Sequence, residues 1–300
     1  MDRKILTFYL QFSQYTYPGL YRDSLKLTLP DRVKDIGFLV RKSFIHGRTL
    51  ENGNIGSNTD LRYGDVTKIP WYRQKEDDVF VTAAAMLVEL YRRDRRGLVA
   101  DRLSENKLVL TCRFTSILMA SLLKTKGIPA RVRSGFAPYF NPNGPHKGKS
   151  DDHWITQYWH KTELRWVSID VDGSLEDDIP FDLYDIPGGE FEFSAESWLN
   201  VRKGKIDADH FLNGGGYSGL TVVAWELFYD FHCLMNSEIP YYHHPEMVLL
   251  KNFDKNGEEQ LTEIDRLAEL MIKPDDNFDQ LLHVWNMRRE FRLLKGGLLS

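Results

Sequence analysis

Apolar and polar residues alternate in different textures along the chain, and each texture predicts an element. From Glu76 to Arg95, the run EDDVFVTAAAMLVELYRRD has acidic residues first, apolar residues in the middle and arginines last. That order complements a helix dipole at both ends and predicts a helix. A second helix is expected from Thr111 or Cys112, with apolar residues at Ile117, Leu118, Leu122 and Leu123 and a stop at Gly127 and Pro129. Next, ARVRSGFAPYF sets Val132, Ser134 and Phe136 against Arg131, Arg133 and Gly135, the period of a half-buried strand. A loop, NPNGPHKGKSD, leads to the runs HWITQYWH and LRWVSIDV, parted only by KTE, which reads as a β-hairpin.

The remainder is helical by pattern. Ser194 is placed to cap a short helix ending near Gly204, LTVVAWELFYDFHCLM is apolar around most of its circumference and predicts a buried helix, and Glu258–Ile272 and Phe278–Leu294 are amphipathic. Residues 1–75 mix short apolar runs with GRTLENGNIGSNTDLRYGD, which has turn chemistry throughout and no sustained helical period, so this part is expected as an N-terminal arm and loops. Helices, then strands, then helices predict an α+β fold. Residues 76–185 would form its core and 186–300 a helical C-terminal layer packed on that core, in one compact unit because no linker marks a boundary near residue 185.

Composition narrows the function. Apolar residues make up 42% and charged residues 27% of the chain, and the net charge of −4 comes with scattered Lys and Arg, so no nucleic-acid partner is expected. The most apolar run before the hairpin, Leu108 to Leu123, is too short for a membrane span and contains Thr111, Arg113 and Ser116. Two cysteines, Cys112 and Cys233, rule out a disulfide framework. With an N-terminal stretch lacking the apolar core of a signal peptide, they place the expected location in the cytoplasm.

The candidate chemistry centres on Cys112. A cysteine opening a helix faces unpaired N–H groups and the positive end of the dipole, which favour thiolate. His153, heading the first hairpin strand, would exchange the proton, and Asp170, closing the second, would orient the imidazole across the ladder. The stretch CRFTSILMASLLKTKGIPARVRSGF, followed by HW and RWVSID, resembles the transglutaminase-like superfamily of the papain-related fold, in its bacterial type. In that pattern a cysteine opens a helix, a GIPAR turn follows, and a strand ends in Gly plus an aromatic residue. The resemblance covers about Cys112 to Asp172. It implies a cysteine-bearing helix packed on an antiparallel sheet bearing His and Asp, with Cys112 as nucleophile, His153 as general base and acid, and Asp170 as orienting carboxylate. Thr111 stands where the family usually has Gly, Phe114 where an acidic residue is frequent, and Trp154 is adjacent to the histidine instead of two residues on.

The reaction so implied is acyl transfer through a thioester, on a peptide, protein or carrier-bound acyl substrate, without a cofactor. The alternative is a catalytically inactive binding or structural module that retains the fold. Asn106 and Trp71 are candidate oxyanion donors, and Trp154, Arg131 and Arg133 candidate substrate contacts. Asp172 is a second orienting carboxylate or a turn residue. Cys233 reads as a core thiol, His243 and His244 as a surface turn with no metal, and Gly214 to Gly216 as a connection. Nothing in the sequence fixes the oligomeric state.

Overall fold

The computed structural model describes residues 1–47, 64–73, 75–141, 146–173 and 179–292. Helices and a largely antiparallel sheet share the chain, an α+β arrangement. Contacts divide it into two compact units, one formed by Leu6–Val132 with Ile155–Ile186 and the other by Met1–Ile5, Arg133–Trp154 and Pro187–Ser300.

The first unit begins within α1 (Arg3–Leu10) and continues through α2 (Arg22–Thr28), α3 (Val33–Ser43) and β1 (Phe44–Ile45). Residues expected as an arm and loops therefore include the helices α1, α2 and α3. In α3 the buried stripe is Ile36, Gly37, Val40 and Arg41, so a glycine and an arginine occupy inward positions where a helical period would show apolar side chains. Gly37 leaves room for the Tyr184 ring, whose tip a Cβ would displace. The polar stretch expected as a surface loop lies, over residues 48–63, outside the described residues.

The helix expected from Glu76 starts later, as α4 (Ala83–Arg93), because Thr82 caps it by accepting the Ala85 N–H at 3.2 Å. After β2 (Leu108–Val109) comes α5 (Cys112–Thr125), against which α2, α3 and α4 pack. Every residue of α5 is buried, Arg113 included, whose guanidinium lies over the Tyr15 and Phe114 rings at 5.3 and 4.9 Å. The helix ends as the sequence predicts. Gly127 takes φ +77°, and the Ile128 and Gly127 N–H groups bond back to the carbonyls of Leu123 and Lys124 at 2.9 and 3.0 Å.

Strand β3 (Ala130–Ala137) follows, then β4 (Ser150–His160) and β5 (Arg165–Ile169). The hairpin is present, with His160 opposite Arg165 across a four-residue connection whose last residue, Leu164, takes φ 54°. Its ladder ends at Thr156 opposite Ile169, one residue short of Asp170 and three short of His153. Within this unit the Thr156 hydroxyl donates to the Ser116 carbonyl at 3.2 Å, which ties β4 to the second turn of α5.

In the second unit, β3 pairs with β6 (Glu192–Phe193), Gly135 standing opposite Phe193. A Cβ on Gly135 would run into the Glu192 carbonyl oxygen, so the Gly-aromatic end of the strand has a steric cause. Next come α6 (Ser194–Arg202) and β7 (Phe211–Leu212), the latter parallel to the start of β4. Then α7 (Leu220–Leu234), buried as expected, packs on α6. The chain closes with α8 (Leu250–Phe253), α9 (Glu258–Ile272) and α10 (Phe278–Met287). Phe136, Trp198, Phe211, Phe228, Phe231 and Ile264 belong to one hydrophobic core. Among the described residues no helix is long and apolar enough to cross a membrane.

All eight residues of β3 are buried, which corrects the half-buried strand expected from its alternation. The arginines enter the interior because each finds partners there. Arg131 donates to Gln157 Oε1 at 2.8 Å and lies over Trp166 and Tyr9 at 4.2 and 5.1 Å. Arg133 grips both oxygens of Asp230 at 2.7 and 2.8 Å.

Candidate active site

The approach to Cys112 is held by backbone and carboxylate together. Strand β2 runs parallel to β1, and the Leu110 N–H donates to the Ile45 carbonyl at 3.1 Å. Glu76 grips Val109 from the other side: its Oε2 accepts the Val109 N–H at 2.8 Å, while its own N–H donates to the Val109 carbonyl at 2.8 Å. Arg73 and Arg93 bind the same carboxylate at 3.0 and 2.7 Å and hold it below the usual carboxylate range against the opposing effect of burial. Two residues past Val109, the Thr111 N–H donates to Asp77 Oδ1 at 3.1 Å, and the Thr111 hydroxyl lies 3.4 Å from the same oxygen. Thr111 is extended (φ −96°, ψ 179°) and Cys112 is the first residue of α5, 7% exposed. Its position at the front of a helix is the one the sequence predicts.

His153 lies in β4, 2% exposed, with the Phe140 ring edge-on at 4.7 Å and Tyr139 at 6.4 Å. The residue before it, Asp152, accepts the Gly214 N–H at 2.8 Å, so the triple-glycine connection is anchored beside the histidine strand. Asp170 is fully buried, one residue past β5; its Oδ1 accepts the Gly173 N–H at 2.9 Å, and its own N–H donates to the Leu183 carbonyl at 2.8 Å. Asp172, the second orienting carboxylate considered, has Oδ2 at 3.4 Å from His46 Nε2. Cys112, Asp170 and Asp172 belong to the first unit and His153 to the second.

The other candidates are placed as follows. Asn106 ends a short 3-10 turn (Ser104–Asn106), and its carbonyl accepts from Arg102 at 3.1 Å. Trp71 is 87% exposed, edge-on to Tyr72. Trp154 is fully buried against Tyr229 and Tyr241, at 5.3 and 5.8 Å between ring centroids. Trp154, Arg131 and Arg133 thus all serve interior packing. His244, expected in a surface turn, stacks on Trp225 at 5.2 Å with Nε2 3.2 Å from the Tyr229 hydroxyl. Among the described residues no group of three or more His, Cys, Asp or Glu side chains is arranged to hold a metal ion.

Sequence reasoning missed Asp77 and His46. The acidic run at residues 76–78 was legible only as the charged start of a helix, whereas its first two carboxylates serve a strand and a turn more than 30 residues away.

No family model matches the chain, and no curated protein matches it. A solved structure that does match is that of a "putative cysteine protease" from Cytophaga hutchinsonii, with a TM-score of 0.36 and 14% identity. The match covers 66% of this chain and 50% of that one, so this chain is similar to about half of its length.

Proposed function

We propose that this protein is a thiol-dependent acyl-transfer enzyme with a transglutaminase-like fold, acting on an amide or thioester. Cys112 attacks the carbonyl carbon. The S–C bond forms as the C–N or C–S bond breaks, and the proton that His153 took from the thiol goes to the departing amine or thiol. Asp170 holds the imidazole in the tautomer this requires. Water or an amine then attacks the thioester and returns the thiol. The substrates are peptide, protein or carrier-bound acyl groups, and a reducing cytoplasm would keep the thiol available.

What carries this reading is the front of α5: a cysteine at the first helical position, behind an extended residue whose N–H is held by a carboxylate. The positive end of the helix dipole favours negative charge at that place. The test is to incubate the protein with a panel of acyl thioesters and glutamine peptides and measure intact mass. An acyl adduct that maps to Cys112 and vanishes in Cys112→Ala is expected; no adduct on Cys112 with any member of the panel would sink the reading. A second reading, a module that keeps the fold without the chemistry, draws on burial, since Cys112 and His153 are only 7% and 2% exposed. It predicts neither adduct nor alkylation at Cys112.

A further inference from the structure

We propose that Asp77 is the positioning residue for Cys112, its carboxylate fixing the turn before α5 by accepting the Thr111 N–H. This inference rests on the reading of Cys112 as nucleophile and adds to it a group that sequence reasoning did not single out.

Three observations within the first unit lead to it. Thr111 is the last extended residue before the helix, and its side chain makes no capping bond to the helix N–H groups. What restrains it is Asp77, at 3.1 Å from its N–H and 3.4 Å from its hydroxyl. A shift of this peptide plane rotates the first helical residue, and displacements of about 1 Å cost reactivity on the order of a hundredfold where a nucleophile must meet a carbonyl in line.

The neighbouring carboxylate is of a different kind. Glu76 has two arginines and stays ionised. Asp77 has none among the described residues: burial is the largest influence on it, the adjacent Asp78 adds to the effect, and Lys75 and the Thr111 bonds oppose it, so its titration is pushed up to about 6. Two adjacent carboxylates with environments this different divide the work. Glu76 holds the strand at every physiological pH, while Asp77 changes charge beside the nucleophile's turn near neutrality.

The test uses the full chain with Asp77→Ala and Asp77→Asn. Iodoacetamide labelling, read by peptide mass separately at Cys112 and Cys233, gives rates from pH 5 to 8.5, and hydrogen exchange gives the protection of the Thr111 amide. In Asp77→Ala, Cys112 labelling is expected to slow about tenfold or more with the Thr111 amide deprotected. Asp77→Asn keeps an acceptor and is expected to restore the rate to within about twofold while removing an inflection near pH 6 from the profile. Equal Cys112 rates and equal Thr111 protection in Asp77→Ala and the parent overturn the inference. A parent Cys112 that labels no faster than Cys233 defeats the enzyme reading instead. The inference about the turn is then decided by Thr111 exchange alone, surviving if Asp77→Ala deprotects that amide and failing if it does not.

Discussion

Cys112 and Cys233 are both buried in helices and sit at opposite ends of them. Cys112 is the first residue of α5, where N–H groups have no partner within the helix; Cys233 is the next to last of α7, where carbonyls have none. Around Cys233 those carbonyls are taken up locally: Asn236, at φ 55°, donates its N–H to the Cys233 carbonyl at 3.0 Å, and the Ser237 N–H reaches the His232 carbonyl at 2.9 Å. A thiolate at Cys233 would face the negative end of the dipole inside an apolar core, and both influences favour the neutral thiol. In the proposed reading, two residues of one type and similar burial are given opposite chemistry by the end of the helix they occupy.

The largest expected effect breaks this pair apart directly. Cys112→Ala should reduce single-turnover acylation by about a thousandfold or more, whereas Cys233→Ala should leave it within about twofold. Equal losses in the two variants would mean that the sulfur at the front of α5 has no privileged role.

A second difference concerns what surrounds each helix. Asp230, one turn before Cys233, is fully buried and holds the Arg133 guanidinium, the Ser134 N–H at 3.1 Å and the Ser194 hydroxyl at 3.4 Å. Removing it strands a buried cation, so Asp230→Ala should cost about 3–5 kcal/mol in a urea titration. If α7 is structural, the Cys112 labelling rate of the folded fraction stays within about twofold of the parent. A collapse of labelling with stability intact would reverse the roles assigned to the two helices.

Acid should act on the α7 side through buried histidines. His232 is pushed down to about 4 and His244 to about 3, in both cases chiefly by burial. His232 Nε2 and His244 Nδ1 have no hydrogen-bond partner among the described residues. Because both are depressed from 6.5, the unfolded chain binds the protons first. Stability is intact above 6.5 and drains away as the pH falls towards the folded values, by about 2–4 kcal/mol for His232. His232→Phe should flatten this slope between pH 6.5 and 4 in urea midpoints, and an unchanged slope would exclude His232 as its source.

The sequence disclosed elements wherever a local pattern sufficed. Thr111 to Pro129 carried both ends of α5, Glu258 and Ile272 bounded α9, and the hairpin lay in its short connection. It concealed what depends on partners far along the chain. Arg131 and Arg133 looked solvent-facing because their partners, Gln157 and Asp230, stand 26 and 97 residues away. The α3 stripe was hidden by Gly37 and Arg41, and the clamp on the α5 approach by Glu76 and Asp77, whose residue types also suit a helix start. Cys112, His153 and Asp170 could be named from spacing and resemblance, but the group holding Thr111 could not, since no periodicity relates residue 77 to residue 111.

The smallest effect is expected at Glu226, also on α7. Its Oε2 accepts the Ser134 hydroxyl, and it is raised well above the usual range, first by burial and then by Asp152 and Asp230, with Ser134 and His153 opposing. A carboxyl raised in the folded state stabilises fully below its unfolded value of 4.5, and that contribution is lost as the pH rises towards the folded value. This slope is opposite in sign to that of His232 on the same helix. Glu226→Gln retains an acceptor for Ser134 and cannot ionise. Its urea midpoint should therefore gain on the parent as the pH rises above 4.5, by about 1 kcal/mol between pH 4.5 and 5.5. The helix α7 is assigned a structural role, so Cys112 labelling at pH 7 should be the same in the two proteins. A parallel pair of pH curves would show that Glu226 does not titrate differently on folding, and altered Cys112 labelling at pH 7 would show that α7 reaches the sulfur chemistry after all.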